Sequence, residues 1–108
     1  NNPSNSQLTQ VFKDIPVVLP DYLVYKNSKA EGYSENSKQY SILLSSKDSV
    51  KNIYDYYMKS FEDNNWTIQL NTSTSESAEI SALKEKNIRI EIFPGLDNQV
   101  SINIILSK

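Results

Sequence analysis

The feature that most restricts how this chain can fold is the period-two alternation filling its C-terminal third. Ala78, Ile80 and Ala82, then Ile88, Ile90 and Ile92, then Val100, Ile102, Ile104 and Leu106 recur at every second position. Successive side chains of a strand point to opposite faces, so each run makes one face apolar, a pattern that a helix cannot use. The runs predict a three-stranded antiparallel meander. "PGLDNQ" makes its second turn, with Pro94 and Gly95 as punctuation. For the first turn, a three-residue loop at 85–87 ("EKN") sets Ala82 opposite Ile90 and Ile80 opposite Ile92, which keeps one face apolar across both strands.

Upstream, "KQYSILLSS" alternates in the same way, with Tyr40, Ile42 and Leu44 on one face, and Trp66, Ile68 and Leu70 alternate with Thr67, Gln69 and Asn71. Between them the period changes. Val50, Ile53, Tyr54, Tyr57, Met58 and Phe61 fall at the i, i+3, i+4, i+7 spacing of one buried helix face, with Asp55, Lys59, Glu62 and Asp63 on the solvent side. Ser46 or Asp48 can cap its start, and Asn64 and Asn65 end it, because Asn tolerates the left-handed conformation. Tyr56 points away from the apolar face. Trp66, just beyond the cap, is expected to fold under the helix end.

Residues 16–20, with the apolar Val17, Val18 and Leu19 between two prolines, read as an extended segment laid over the core or along a sheet edge. Residues 22–26 read as a first short strand, and "NSKAEGYSEN" as a loop. A helix of about 16 residues spans ~24 Å and a strand of seven ~23 Å, so one helix can cover one sheet lengthwise. The expected fold is therefore α+β in two layers, one helix packed across one face of a mainly antiparallel sheet, in the order strand, strand, helix, then four strands. Ala78 and Ala82 are small enough to let Tyr54, Tyr57 and Phe61 approach. With 108 residues there is room for one core, so 14–108 is read as a single domain behind a polar leader or tether at 1–13.

The chain contains no Cys and no His, which removes thiol nucleophiles, disulfides, Ser-His triads and the common Cys/His zinc sites together. A net charge of -2 from 13 acidic and 11 basic residues, with lysines scattered, provides no footprint for nucleic acid or for anionic lipid headgroups. No calcium loop, Gly-rich phosphate loop or activated serine is present. Glu62 and Asp63 beside Trp66 resemble a sugar site only superficially, since neighbours on a helix diverge by about 100° and glycosidase chemistry needs two carboxylates held across a cleft. A hydrolase working through Glu62, Asp63 or Glu91 is the least supported reading. No catalytic residue, metal ligand or cofactor is assigned, and the protein is not expected to be an enzyme.

Two binding readings remain. On the sheet face away from the helix, Leu43, Leu83, Phe93 and Ile105 stand among polar residues such as Ser41, Arg89, Glu91 and Asn103. They are either covered by residues 16–20 or the leader, or they form a small interaction surface for a partner. Alternatively, a small ligand sits between helix and sheet, lined by Tyr40, Tyr54, Tyr57 and Trp66.

"DIPVVLP" at 14–20, a strand ending in Ser and Asp, a helix carrying "IYDYYMKSF" and then a Trp-led strand together resemble a group of small bacterial envelope proteins, many of them predicted lipoproteins. The similarity runs over about residues 14–106. It departs from the group's pattern at Asp21 and Tyr22, where Gly-Ala is common, and at Asn65, where Gly precedes the Trp. The resemblance implies an exported accessory or interaction module on the periplasmic or extracellular side. It would be tethered through an upstream lipid anchor, would act as a monomer or weak dimer and could have another envelope protein as its partner. It transfers no catalytic residues.

Overall fold

The computed structural model describes residues 8–10 and 18–108. Ten elements follow one another: β1 (Leu8–Gln10), β2 (Val18–Pro20), a 3-10 turn (Asp21–Leu23), β3 (Lys29–Glu35), β4 (Gln39–Ser46), α1 (Val50–Asp63), β5 (Thr67–Ser73), β6 (Ala78–Leu83), β7 (Asn87–Pro94) and β8 (Val100–Ser107). β3 to β8 form one sheet in the order β3-β4-β8-β7-β6-β5, every neighbouring pair antiparallel. α1 packs on one face of it, against β5, β6 and β7. The two-layer α+β fold is thus the one the alternation and the single helical period require. Of the leader, only β1 lies within the described residues, paired with β2; the tether expected over the rest of 1–13 lies outside them.

Register explains the core. Ile80 faces Ile90, Ile90 faces Ile104 and Ile104 faces Ile42, a row across four strands in which every member has 0% exposure. β-branched side chains suit this pleated, covered surface. α1 adds Val50, Ile53, Tyr57 and Phe61 from above, with Ala78 and Ala82 of β6 among the buried residues below.

The helix ends are set locally. Ser49, and not Ser46 or Asp48, is the N-cap: its side chain accepts the Asn52 N–H at 3.1 Å. Ser46 instead accepts the Asp48 N–H at 3.0 Å, and the Asp48 carboxylate is taken by Tyr25 and Asn27. At the other end the Asn65 N–H donates to the Glu62 carbonyl and the Trp66 N–H to the Phe61 carbonyl, with Asn65 left-handed at φ 66°. This is the paired Schellman arrangement, and its hydrophobic partner is present, since the Trp66 and Phe61 rings lie 5.4 Å apart.

Four sequence expectations are corrected. Residues 22–26 are not a strand: a 3-10 turn takes Asp21–Leu23. The first strand of the sheet is β3, inside the segment expected to be a loop. β3 is an edge strand with mostly polar, exposed residues and a bulge between Ala30 and Gly32, so it lacks the apolar alternation by which a strand is recognised. The β6–β7 register is shifted by two residues from the expected one, the three-residue turn falling at 84–86, with Ala82 opposite Ile88 and Ile80 opposite Ile90; a shift of two leaves every side chain on its own face. In β5 a bulge between Ile68 and Leu70 moves Leu70 to the face opposite Ile68, where it is 42% exposed.

In the β7–β8 turn the left-handed residues are Asp97 and Asn98, at φ 57° and 60°. Gly95 leaves room there for the Ser101 side chain. A Cβ on it would stand 2.5 Å from the Ser101 hydroxyl.

Candidate functional site

Leu43, Leu83, Phe93 and Ile105 all lie on the face away from the helix, opposite Asn103, Asn87, Ser101 and Arg89 respectively. The four are not gathered into one patch. A polar ladder crosses the sheet between them: Ser41 Oγ donates to Asn103 Oδ1 at 3.0 Å, and Asn103 Nδ2 donates to Glu91 Oε1 at 3.2 Å. Arg89 then stands between Glu91 at 3.9 Å and Glu79 at 3.2 Å. Leu43 and Phe93 share an open groove of about 520 Å³ with Pro94 and Leu96. Ile105 lines a separate one of about 340 Å³ with Gln39, Gln69 and Arg89, and Leu83 lines neither. Leu96, which is 86% exposed, had no periodic signal because it sits in a turn.

The helix–sheet layer is organised differently. Tyr25, Tyr56, Tyr57, Phe61 and Trp66 form a continuous line of rings, with edge-on contacts at 5.2 Å between Tyr25 and Tyr56 and between Tyr56 and Tyr57. Such T-shaped pairs are the favoured aromatic geometry. Tyr57 has no exposed surface, and burial pushes its hydroxyl pKa far above the ordinary phenol value, so it remains a neutral donor. It donates to the Leu23 carbonyl at 3.0 Å. Tyr56, off the apolar stripe, donates to the Tyr22 carbonyl at 2.6 Å. Trp66 Nε1 donates to the Tyr22 hydroxyl at 3.0 Å. Three side chains of the helix and its cap thus converge on one stretch, the 3-10 turn.

That stretch, with β2 and the residues after it, forms a strap over 18–25. Leu19 and Leu23 have 0% exposure and Tyr25 9%, and all three belong to the same buried cluster as the isoleucines of the sheet. The strap therefore fills the layer beside α1, as an extended segment laid over the core. Its one irregularity is Asp21, whose Oδ1 is buried without a hydrogen-bond partner. Of the residues expected to line a ligand site, Tyr57 and Trp66 join this constellation. Tyr54 instead accepts from Asn71 Nδ2 at 2.9 Å, and Tyr40 lies under the Lys108 ammonium, 4.9 Å from its ring centre. Sequence reasoning missed Tyr22, Leu23 and Asp21 as contact residues because a single 3-10 turn has too few residues to show a period.

The carboxylates do not converge. Asp63 pairs with Lys59 at 3.1 Å across one helical turn, Glu62 is exposed and Glu91 belongs to the open-face ladder. Among the described residues no group of three or more His, Cys, Asp or Glu could hold a metal ion, and no helix is long and apolar enough to cross a membrane.

A family model described as START domain-like matches residues 26–107. The chain belongs to the START domain-like family. No curated protein matches it in sequence. In this START domain-like chain the matched stretch takes in the whole six-stranded sheet and α1 and begins just after the strap. The strap lies outside the matched stretch and packs into the same buried cluster.

Proposed function

We propose that this START domain-like chain is a non-enzymatic binding module that takes a small apolar ligand between helix and sheet. The family points to a ligand-binding fold. The observation that carries the reading is the position of Leu19 and Leu23: both are wholly buried in the helix–sheet layer, yet both lie outside the matched stretch. Without these two leucines the layer would offer an apolar hollow floored by aliphatic side chains and edged by the hydroxyls of Tyr56 and Tyr57, which is the usual make-up of a small-molecule site. The aromatic line forms its wall.

Neighbouring isoleucines on opposite faces make the test direct. Ile104 is in the buried row and Ile105 lines the open face. Titration of the methyl-labelled chain with the apolar fluorophore N-phenylnaphthylamine is expected to shift the Ile104 and Ile90 methyl signals and leave Ile105 in place. Shifts confined to Ile105 would move the site to the outer grooves and end this reading.

We further propose that the module works at the bacterial envelope, held by an upstream lipid anchor, where an envelope protein is its partner. The support is the resemblance at residues 14–20 and along α1. Intact mass of the N-terminal peptide from natively produced full-length protein is expected to show a diacylated Cys upstream; an unmodified upstream peptide removes the anchor.

A further inference from the structure

We infer that the strap is a built-in occupant of the ligand space, displaced when an amphiphile with an apolar body and a hydrogen-bond-accepting head enters; this rests on the binding reading above. Three observations support it. Among the described residues the strap has no ladder to the main sheet, and β2 pairs only with β1. Its polar ties to the family domain run instead through side chains: Tyr56 and Tyr57 hydroxyls to the carbonyls of Tyr22 and Leu23, the Trp66 indole N–H to the Tyr22 hydroxyl, and the Tyr25 hydroxyl to Asp48. Each can pass to another acceptor without breaking a strand.

The docked strap also carries a penalty. A buried oxygen with no donor destabilises the arrangement that buries it, and Asp21 Oδ1 is such an oxygen. It regains water when the strap swings out. What the strap leaves behind defines the ligand: an aliphatic space emptied of two leucines, facing three donors that have lost their acceptors. Tyr57 lies fully inside the protein, so a ligand without an acceptor oxygen would leave a buried hydroxyl unpaired. A single alkyl chain ending in a carboxylate or ester satisfies both requirements. A chain ending in a quaternary ammonium satisfies only the first.

The test uses the full chain with dodecanoate and, as the acceptor-free control, dodecyltrimethylammonium, both below micelle-forming concentration. Binding is measured by calorimetry, and backbone hydrogen exchange is followed at residues 18–25 and 50–63. Dodecanoate is expected to bind about tenfold or more tightly than the control, and to speed exchange at 18–25 while leaving 50–63 unchanged. A ligand competing with a docked segment keeps its intrinsic affinity only in proportion to the undocked fraction, so Leu23→Ser, which raises that fraction, is expected to tighten dodecanoate binding by about tenfold. If that variant does not fold, Tyr25→Phe, which removes the strap's bond to Asp48 and leaves the Tyr56, Tyr57 and Trp66 donors in place, is expected to tighten it by a smaller factor. Binding of dodecanoate with unchanged exchange at 18–25 and unchanged affinity in the variants overturns the strap's role and leaves the binding module standing. Absence of binding in both the natural chain and the loosened variants overturns the module itself.

Discussion

Across the middle of the sheet, two rows of side chains run on opposite faces of the same strands. On the helix side Ile42, Ile104, Ile90 and Ile80 meet in register, all at 0% exposure. One residue along each strand, on the open side, Leu43, Asn103, Glu91 and Glu79 meet in the same register, held by hydrogen bonds and by Arg89. The first row gains from leaving water, an effect of about 25 cal/mol per Å² of apolar surface. The second exchanges protein hydrogen bonds for water's, and such exchanges contribute only about 0.5–1.5 kcal/mol each. Stability is thus concentrated on one face of one sheet, and the other face is free to vary.

The largest effect should come from breaking the buried row. Ile90→Ala removes aliphatic volume from a site enclosed on all sides and is expected to cost about 2–5 kcal/mol. Asn103→Ala, beside it on the other face, should cost about 1 kcal/mol or less. Urea unfolding at unchanged slope checks both; equal shifts in midpoint would mean that the faces do not differ as described. Next is Tyr57→Phe. It keeps the ring in the aromatic line but leaves the Leu23 carbonyl without its donor, so a loss of about 1–3 kcal/mol is expected. Chemical denaturation of the two proteins side by side measures it, and a loss near zero would mean that the strap is not held through this hydroxyl.

A smaller, pH-dependent effect sharpens the same contrast. Burial, then the hydrogen bond to Asp48, push the Tyr25 hydroxyl up to about 12 from its ordinary 10.0. The folded protein therefore keeps this proton longer than the unfolded chain does. Its contribution is fully present below about pH 10 and is lost as pH rises through the folded value, so stability should fall across that window. Tyr25→Phe should show a shallower fall over the same window in thermal melts. An identical slope in the variant would assign the loss to other groups.

How much of this could be read from the sequence follows from which elements carry a period. β4, α1, β6, β7 and β8 each repeat an apolar residue at strand or helix spacing, and their faces, their order and the two-layer fold follow from that. β3 pairs at an edge with polar residues on both sides, so nothing in its composition separates it from a loop. The two-residue shift at Ala82 left no trace either, because both registers keep the same side chains inward. The Gln69 bulge that turns Leu70 outward is a backbone event with no residue-type signal. Within the aromatic line, Tyr57 and Trp66 stand where spacing puts them, on the buried face of α1 and against its end, whereas the strap that meets them depends on tertiary contacts between residues 34 and 44 positions apart.

The smallest expected effect lies in the open-face ladder and tests what holds it. Glu79 and Glu91 face each other directly across β6 and β7, an arrangement that like charges disfavour. Arg89 answers both, at 3.2 and 3.9 Å, with side-chain exposures of 51%, 36% and 34% for Arg89, Glu79 and Glu91. Solvent screens pairs this open, so Arg89→Gln should cost only about 0.2–1 kcal/mol. Because the attraction is electrostatic, the loss should shrink at high salt. Glu79→Gln in the Arg89→Gln background should recover part of it by removing the facing charge. A loss that is the same at low and high salt, and is not recovered by the second change, would mean that the stem of Arg89, packed over the sheet, matters more than its charge. The open face would then depend on burial as the helix side does, only over less area.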